Sequence, residues 1–161
     1  MDQNNPAAAA TAVRPLRTRT GDVQWRLFLR AMADQIDHMA GLDERDDMLR
    51  GVGRRMARMI PLPPVLTLPS LEIEVNEALE QIGWGAATLR LDEADRALVI
   101  HHTGLPRVGS IGVPSGQWLS ALLEGLYETW FVQQPGSQPS LSATRVVTHS
   151  PDAVTLRFAR A

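Results

Sequence analysis

Apolar residues recur at helical spacing in four stretches of this chain and at strand spacing in four others. Asp22 stands where an N-cap belongs, and Trp25, Phe28, Leu29, Met32 and Ile36 follow at i, i+3, i+4, i+7 intervals. With Gly41 as the stop, this predicts a first helix over 23–39. A second begins at Asp43, with Glu44, Asp46 and Asp47 in its first turn, where carboxylates favour the helix dipole. Its apolar line is Leu49, Val52, Met56 and Met59, and Pro61, Pro63 and Pro64 end it. A third helix carries Leu71, Val75, Leu79 and Ile82, with Ser70 as cap and Gly83 beyond its end.

After Gly83 the period changes from 3.6 to 2. Residues 84–91 and 97–102 read as strands around a DEADR turn. A Gly/Pro loop over 103–116 leads to a fourth helix over 116–133, with Ser115 as its cap. Residues 135–140 form a linker, and 144–149 and 154–160 read as a second hairpin around Ser150-Pro151-Asp152. Three helices, a hairpin, a helix and a hairpin make an α+β fold: N-terminal helices plus a ββαββ unit with a four-stranded antiparallel sheet. One domain over 22–161 is expected, behind a disordered tail over 1–21.

The fourth helix is apolar on more than one side. Trp118, Leu119, Leu122, Leu123, Leu126, Tyr127, Trp130 and Phe131 make a stripe wider than a surface helix needs. One edge suits the sheet. The other is intrachain core or a subunit interface, for which Trp118, Leu122, Leu126 and Trp130 are the candidate contacts. Helix two carries Arg50, Arg54 and Arg58 at i, i+4, i+8, a ridge of guanidinium groups. It is a solvated face with an Asp46–Arg50 pair, or a surface that grips partner carboxylates or phosphates. Gly51 and Gly53 in mid-helix each cost about 1 kcal/mol relative to Ala, which close approach of another backbone would offset.

Composition narrows the chemistry. The chain has 161 residues, 44% hydrophobic, with a net charge of −2. That balance gives no bulk attraction for nucleic acid or an anionic membrane. All 16 basic residues are Arg, and Lys and Cys are absent. From this chain no Schiff base, Walker-A lysine, disulfide, thiolate nucleophile or sulfur-ligated zinc is available. No apolar run reaches transmembrane length. Ala7–Val13 is short, preceded by Asp2 and followed by Arg14, Arg17 and Arg19, so a signal peptide is not expected and the cytoplasm is.

Candidate reactive groups are weak. The loop Val108-Gly109-Ser110-Ile111-Gly112-Val113-Pro114-Ser115-Gly116 precedes a helix, as anion-cradling loops do, but it matches no nucleotide-binding fingerprint. A structural loop with positive-φ glycines is the simpler reading. His101 and His102 are adjacent on a strand and point to opposite faces, and His38 and His149 lack ligand spacing. The acidic group of Asp43, Glu44, Asp46 and Asp47 lacks the calcium-loop pattern. No catalytic, cofactor-binding or metal residue is assigned. Trp25, Trp118 and Trp130 lie on apolar helical faces and are expected to be buried, leaving Trp84 as an exposed platform.

The block IGWGAATLRL, followed by LPRVGSIGVPSGQWLSALLEGLYETW, resembles the D subunit of bacterial cellulose synthase. The IGWG run, the LP-x-VGS loop, the PSG-x-W entry and the LEGLY centre carry the resemblance. The stretch LRGVGRRMARMIPLPP looks like that family's second helix and proline-rich exit. It covers about residues 22–137. The resemblance implies a small non-catalytic accessory protein of cellulose secretion, with dimers building an octamer that promotes ordered, crystalline cellulose. It further implies a Pro-rich partner protein, the cellulose synthase complex as context, and glucan chains as a possible contact. Two other classes stay open: a small-molecule-binding module, with a pocket lined by helix-four side chains, and a phosphate or nucleic-acid binder using the arginine ridge.

Overall fold

The computed structural model describes residues 19–112, 115–146, 150 and 152–160. Four helices and four strands follow one another in the order α1 (Arg19–Met39), α2 (Leu42–Met59), α3 (Leu68–Ile82), β1 (Ala86–Asp92), β2 (Ala97–Thr103), α4 (Ser120–Val132), β3 (Leu141–Val146) and β4 (Ala153–Arg160). The α+β class and the four-stranded antiparallel sheet are as expected. The tail expected over 1–21 lies outside the described residues except for its last three, which open α1. Val147, Thr148 and His149, expected at the end of the third strand, also lie outside them.

Helix ends shift for local reasons. α1 ends at Met39, as expected, and Gly41 beyond it also serves as the N-cap of α2, where its N–H donates to the Glu44 carboxylate at 3.2 Å. Thr67, not Ser70, caps α3: its hydroxyl accepts from the Ser70 N–H at 3.3 Å, and Pro69 fills the first turn. Gly83 ends α3 at φ 67°, and the Trp84 N–H closes on the Leu79 carbonyl, a Schellman ending. α4 begins at Ser120, four residues after the expected start. Ser115 does not cap it; its hydroxyl donates to the Ser110 carbonyl at 2.9 Å and ties the glycine-rich loop together.

The strand order is β1-β2-β4-β3, two hairpins joined along β2 and β4, with His102 opposite Val154 and Ile100 opposite Leu156. Leu98, Ile100, His102, Val154, Leu156 and Phe158 share the face that α4 covers, as a period of two dictates. On its other side α4 is covered by α2. The molecule therefore has three layers, sheet, α4 and α2, with α4 in the middle, and that position is why its apolar stripe runs round the helix. Tyr127, Trp130, Phe131 and Phe158 form an aromatic cluster with centroids 5.5–5.8 Å apart, edge-to-face except for the tilted Tyr127–Phe131 pair.

Mid-helix glycine has the predicted cause at one of its two positions. A Cβ on Gly53 would lie 2.0 Å from the Leu122 carbonyl oxygen, and one on Gly125 would lie 2.0 Å from that of Arg50. α2 and α4 thus touch backbone to backbone at two glycines, one from each helix. Gly51 faces open space, so close packing does not account for it.

Candidate interaction surface

The residues expected to form an interface on helix four are inside the chain. Trp118, Leu122, Leu126 and Trp130 are all buried by α2, the sheet and the loops around them. Their polar atoms are also satisfied within the chain: the Trp118 indole N–H donates to Asp37 at 2.8 Å, and that of Trp130 donates to the Ile60 carbonyl at 2.9 Å. Of the two alternatives, intrachain core is the one the structure shows for these four side chains.

The arginine ridge is largely engaged as well. Arg50 donates through Nε to Glu124 and through Nη1 to Asp47, both at 2.6 Å. Arg54 lies 3.9 Å from Glu128, and Arg58 is exposed. The expected Asp46–Arg50 pair is not formed. Asp46 instead accepts from Arg45 at 2.8 Å and from Arg145 on β3. Burial raises the Asp46 pKa, but the hydrogen bonds from Arg145 and Arg45 outweigh it and hold the carboxyl below its ordinary value. Buried Glu124 is the hub of this network, accepting from Arg50, from the Arg145 side chain at 3.0 Å and from the Arg145 N–H at 2.9 Å. The sequence reading missed it. The available signal was a lone carboxylate in the centre of LLEGLY, where a buried charge needs partners.

Both sheet edges are occupied by helix side chains. On β1, Asn76 accepts from the Ala87 N–H and donates to its carbonyl, at 2.8 and 2.9 Å, and Glu72 accepts from the Leu89 N–H at 2.7 Å. On β3, Glu128 and Glu124 accept from the N–H groups of Ala143 and Arg145. Strand addition would have to displace these bonds, so the edges are protected against pairing with another chain.

Large apolar side chains are exposed singly elsewhere, as at Met59 and Leu66, but the exposed Trp and Phe rings among the described residues are on α1. Trp25 is 65% exposed and Phe28 55%, their rings edge-to-face at 5.8 Å, with Leu27, Met32 and Met39 also exposed. This corrects the expectation that Trp25 is buried. The stripe has helical periodicity, but no described element covers this part of it, because the sheet and α2 already sandwich α4. Trp84 is likewise corrected: it is half-buried against the core rather than an exposed platform.

The remaining chemistry is structural. His101 is exposed and His102 buried, on opposite faces as expected. Gly109, Gly112 and Gly116 all have positive φ, and a Cβ on Gly112 would meet the Trp118 backbone at 2.4 Å. The loop glycines therefore serve close packing. Three surface clefts, of about 170, 420 and 270 Å³, are lined by residues 104, 105, 107, 116, 117 and 152–154, by 95, 96, 136, 138, 141, 157, 159 and 160, and by 59–63, 74, 77, 78 and 81. None of these three is lined by α4, where a small-molecule module would need its pocket.

His102 gives the core a pH dependence. Its Nδ1 lies 2.7 Å from the Tyr127 hydroxyl, while its Nε2 is buried without a hydrogen bond. Burial drives its pKa down to about 4, partly offset by the Trp84 backbone and reinforced by His101. The folded chain thus holds this imidazole neutral, and the unfolded chain protonates it near the ordinary 6.5. Its contribution is fully present above pH 6.5 and is lost as pH falls from 6.5 to about 4, by about 3 kcal/mol in all. Unfolding free energy measured across this range should fall less steeply in His102→Gln than in the wild type; parallel curves would contradict the assignment.

The chain matches the family described as the D subunit of cellulose synthase over residues 11–159, which extends the resemblance through the last hairpin. A cellulose synthase operon protein D of Komagataeibacter xylinus is 46% identical over 121 residues, 75% of this chain and 78% of that protein. One from Komagataeibacter sucrofermentans is 42% identical over 130 residues, 81% of this chain and 83% of its own. The match takes in the first seven elements and all but the last residue of β4, and the chain belongs to the cellulose synthase D-subunit family.

Proposed function

We propose that this protein is a non-catalytic accessory component of bacterial cellulose synthesis, a homo-oligomeric scaffold that promotes ordered export and crystallisation of glucan chains. Family membership supplies the cellulose context. The observation that carries the scaffold reading is that, of the described Trp, Tyr and Phe side chains, only Trp25 and Phe28 on α1 are exposed. The core aromatics are buried, the sheet edges are occupied and Arg50 and Arg54 of α2 face α4 carboxylates, yet two aromatic rings stand in solvent. A small protein with that distribution presents a docking helix.

In this reading the chain acts beside the inner-membrane synthase, on the cytoplasmic side, together with the synthase complex and a Pro-rich partner. Among the described residues no helix is long and apolar enough to cross a membrane. The test is complementation. In a cellulose-producing bacterium lacking its own family member, this chain should restore cellulose yield and crystallinity, and the purified protein should run in light scattering as a multiple of 17.7 kDa. A strict monomer at all concentrations, or no effect on cellulose, would reject the scaffold.

A further inference from the structure

The polarity of α1 is inverted. On a helical wheel of 100° per residue, Ala33, with Leu29 and Ile36 beside it, faces the body. The charged residues Arg26, Arg30 and Asp37 lie on that side, within about 60° of Ala33. Asp37 accepts from Trp118 and lies 3.5 Å from Arg45, and the Arg30 guanidinium reaches the backbone of Gly109. The opposite side carries Leu27, Phe28, Ala31, Met32, Gln35, His38 and Met39, with Trp25 at one margin and Asp34 at the other, away from the aromatic pair. A surface helix normally has the reverse arrangement.

Within that bare side, Trp25, Phe28, Met32, Gln35 and Met39 are spaced 3, 4, 3, 4. That spacing is the a/d seam of a two-helix coiled coil, so the seam calls for a helix as its occupant rather than a strand or a small molecule. An anionic membrane surface does not suit it, because no basic residue flanks the seam.

We propose that the occupant is α1 of a second copy of this chain, packed antiparallel about a two-fold axis near residue 30. This deepens the scaffold reading and rests on it. Residues that flank one side of such a seam meet their own equivalents across the axis. Here those flanks, Ala31 and His38, carry no formal charge at neutral pH, so a copy meets no like-charge repulsion. Antiparallel register places Phe28 against Met32 of the copy and Trp25 against Gln35 of the copy, a large side chain against a smaller one in each layer. A parallel pair would set Trp25 against Trp25. Counting both copies, the exposed seam and Leu27 amount to on the order of 1,000 Å², the lower bound of a specific interface. One α1 pair would therefore join copies through a contact small enough to sit alongside others in a larger assembly.

The absence of Cys makes the test direct, because a single introduced thiol is unique. Phe28→Cys and Met32→Cys chains are purified separately and then oxidised alone and as an equal mixture. The expected result is a disulfide-linked dimer in the mixture and little in either chain alone. Self-linkage of each chain alone, or linkage in none of the three samples, overturns the antiparallel pairing. Separately, Trp25→Glu with Phe28→Glu should lower the solution mass at least twofold with an unchanged circular dichroism spectrum, because neither side chain belongs to the core. An unchanged mass overturns the α1 contact while leaving the scaffold intact. A wild-type monomer removes the scaffold itself.

Discussion

Gly125→Ala should cost about 3 kcal/mol or more in urea or thermal unfolding, while Gly51→Ala, in the helix facing it, should stabilise by about 0.5–1 kcal/mol. The two changes add the same methyl group to helix interiors and differ only in what that group meets. At Gly125 it would lie 2.0 Å from the Arg50 carbonyl oxygen and 2.8 Å from the Arg50 carbonyl carbon. These are backbone atoms of a packed helix, and they cannot swing aside as a side chain would. The overpacking cost therefore falls at or above the top of its usual 1–3 kcal/mol range. Gly53→Ala should behave like Gly125→Ala, because its Cβ would meet Leu122 and Leu126 backbone atoms at 2.0 and 2.8 Å. At Gly51 nothing lies within 4 Å, and the helix-propensity gain is left unopposed. A Gly125→Ala protein within 0.5 kcal/mol of wild type would refute the backbone contact between α2 and α4. Against a total stability of about 5–15 kcal/mol, the expected loss threatens folding at growth temperature.

Replacing Glu124 by Leu should destabilise the fold by about 3–4 kcal/mol, although Leu fits the apolar helix better than Glu does. The carboxylate accepts from Arg50 at 2.6 Å, from the Arg145 side chain at 3.0 Å and from the Arg145 N–H at 2.9 Å. Its loss leaves a β3 N–H unsatisfied and two guanidinium groups without their shared counter-charge. Arg50 and Arg145 keep 33% and 26% of their side-chain surface in contact with water, which holds the cost to the lower part of the range for a broken buried pair. Arg145 also keeps Asp46 and the Ser120 hydroxyl as partners. A double-mutant cycle with Arg145→Met should return a coupling above 1 kcal/mol. Arg54→Ala is the contrasting case. Its contact to Glu128 is 3.9 Å and partly exposed, so a change under about 0.5 kcal/mol is expected. Equal effects at Glu124 and Arg54 would show that burial does not set the strength of these pairs.

Family recognition lay in local strings, IGWG, LP-x-VGS and LEGLY, and was legible without coordinates. Assigning the helix-four side chains was not. Trp25 and Trp130 sit on equally convincing apolar stripes, yet one is 65% exposed and the other is fully buried. Periodicity reports that a face is apolar; it does not report which element covers it. The same limit applies to charge. The spacing of Arg50, Arg54 and Arg58 gave a ridge, but Glu124 and Glu128, about 74 residues away, direct two of the three inward.

Helices, strands and both hairpins were set by the sequence alone, because the 3.6 and 2 periods, Gly83 and the proline run act within a few residues. Helix boundaries moved by a few residues where competing caps stood close together, as with Thr67 and Ser70. Tertiary structure decided the rest. By placing α4 between the sheet and α2 it turned a supposed contact surface into core. It also paired Gly53 and Gly125 with the facing backbone and left the Trp25 and Phe28 rings of α1 uncovered by any other described element. Those outcomes depend on long-range packing, where the partner of each residue is chosen by the fold as a whole and not by its neighbours in sequence.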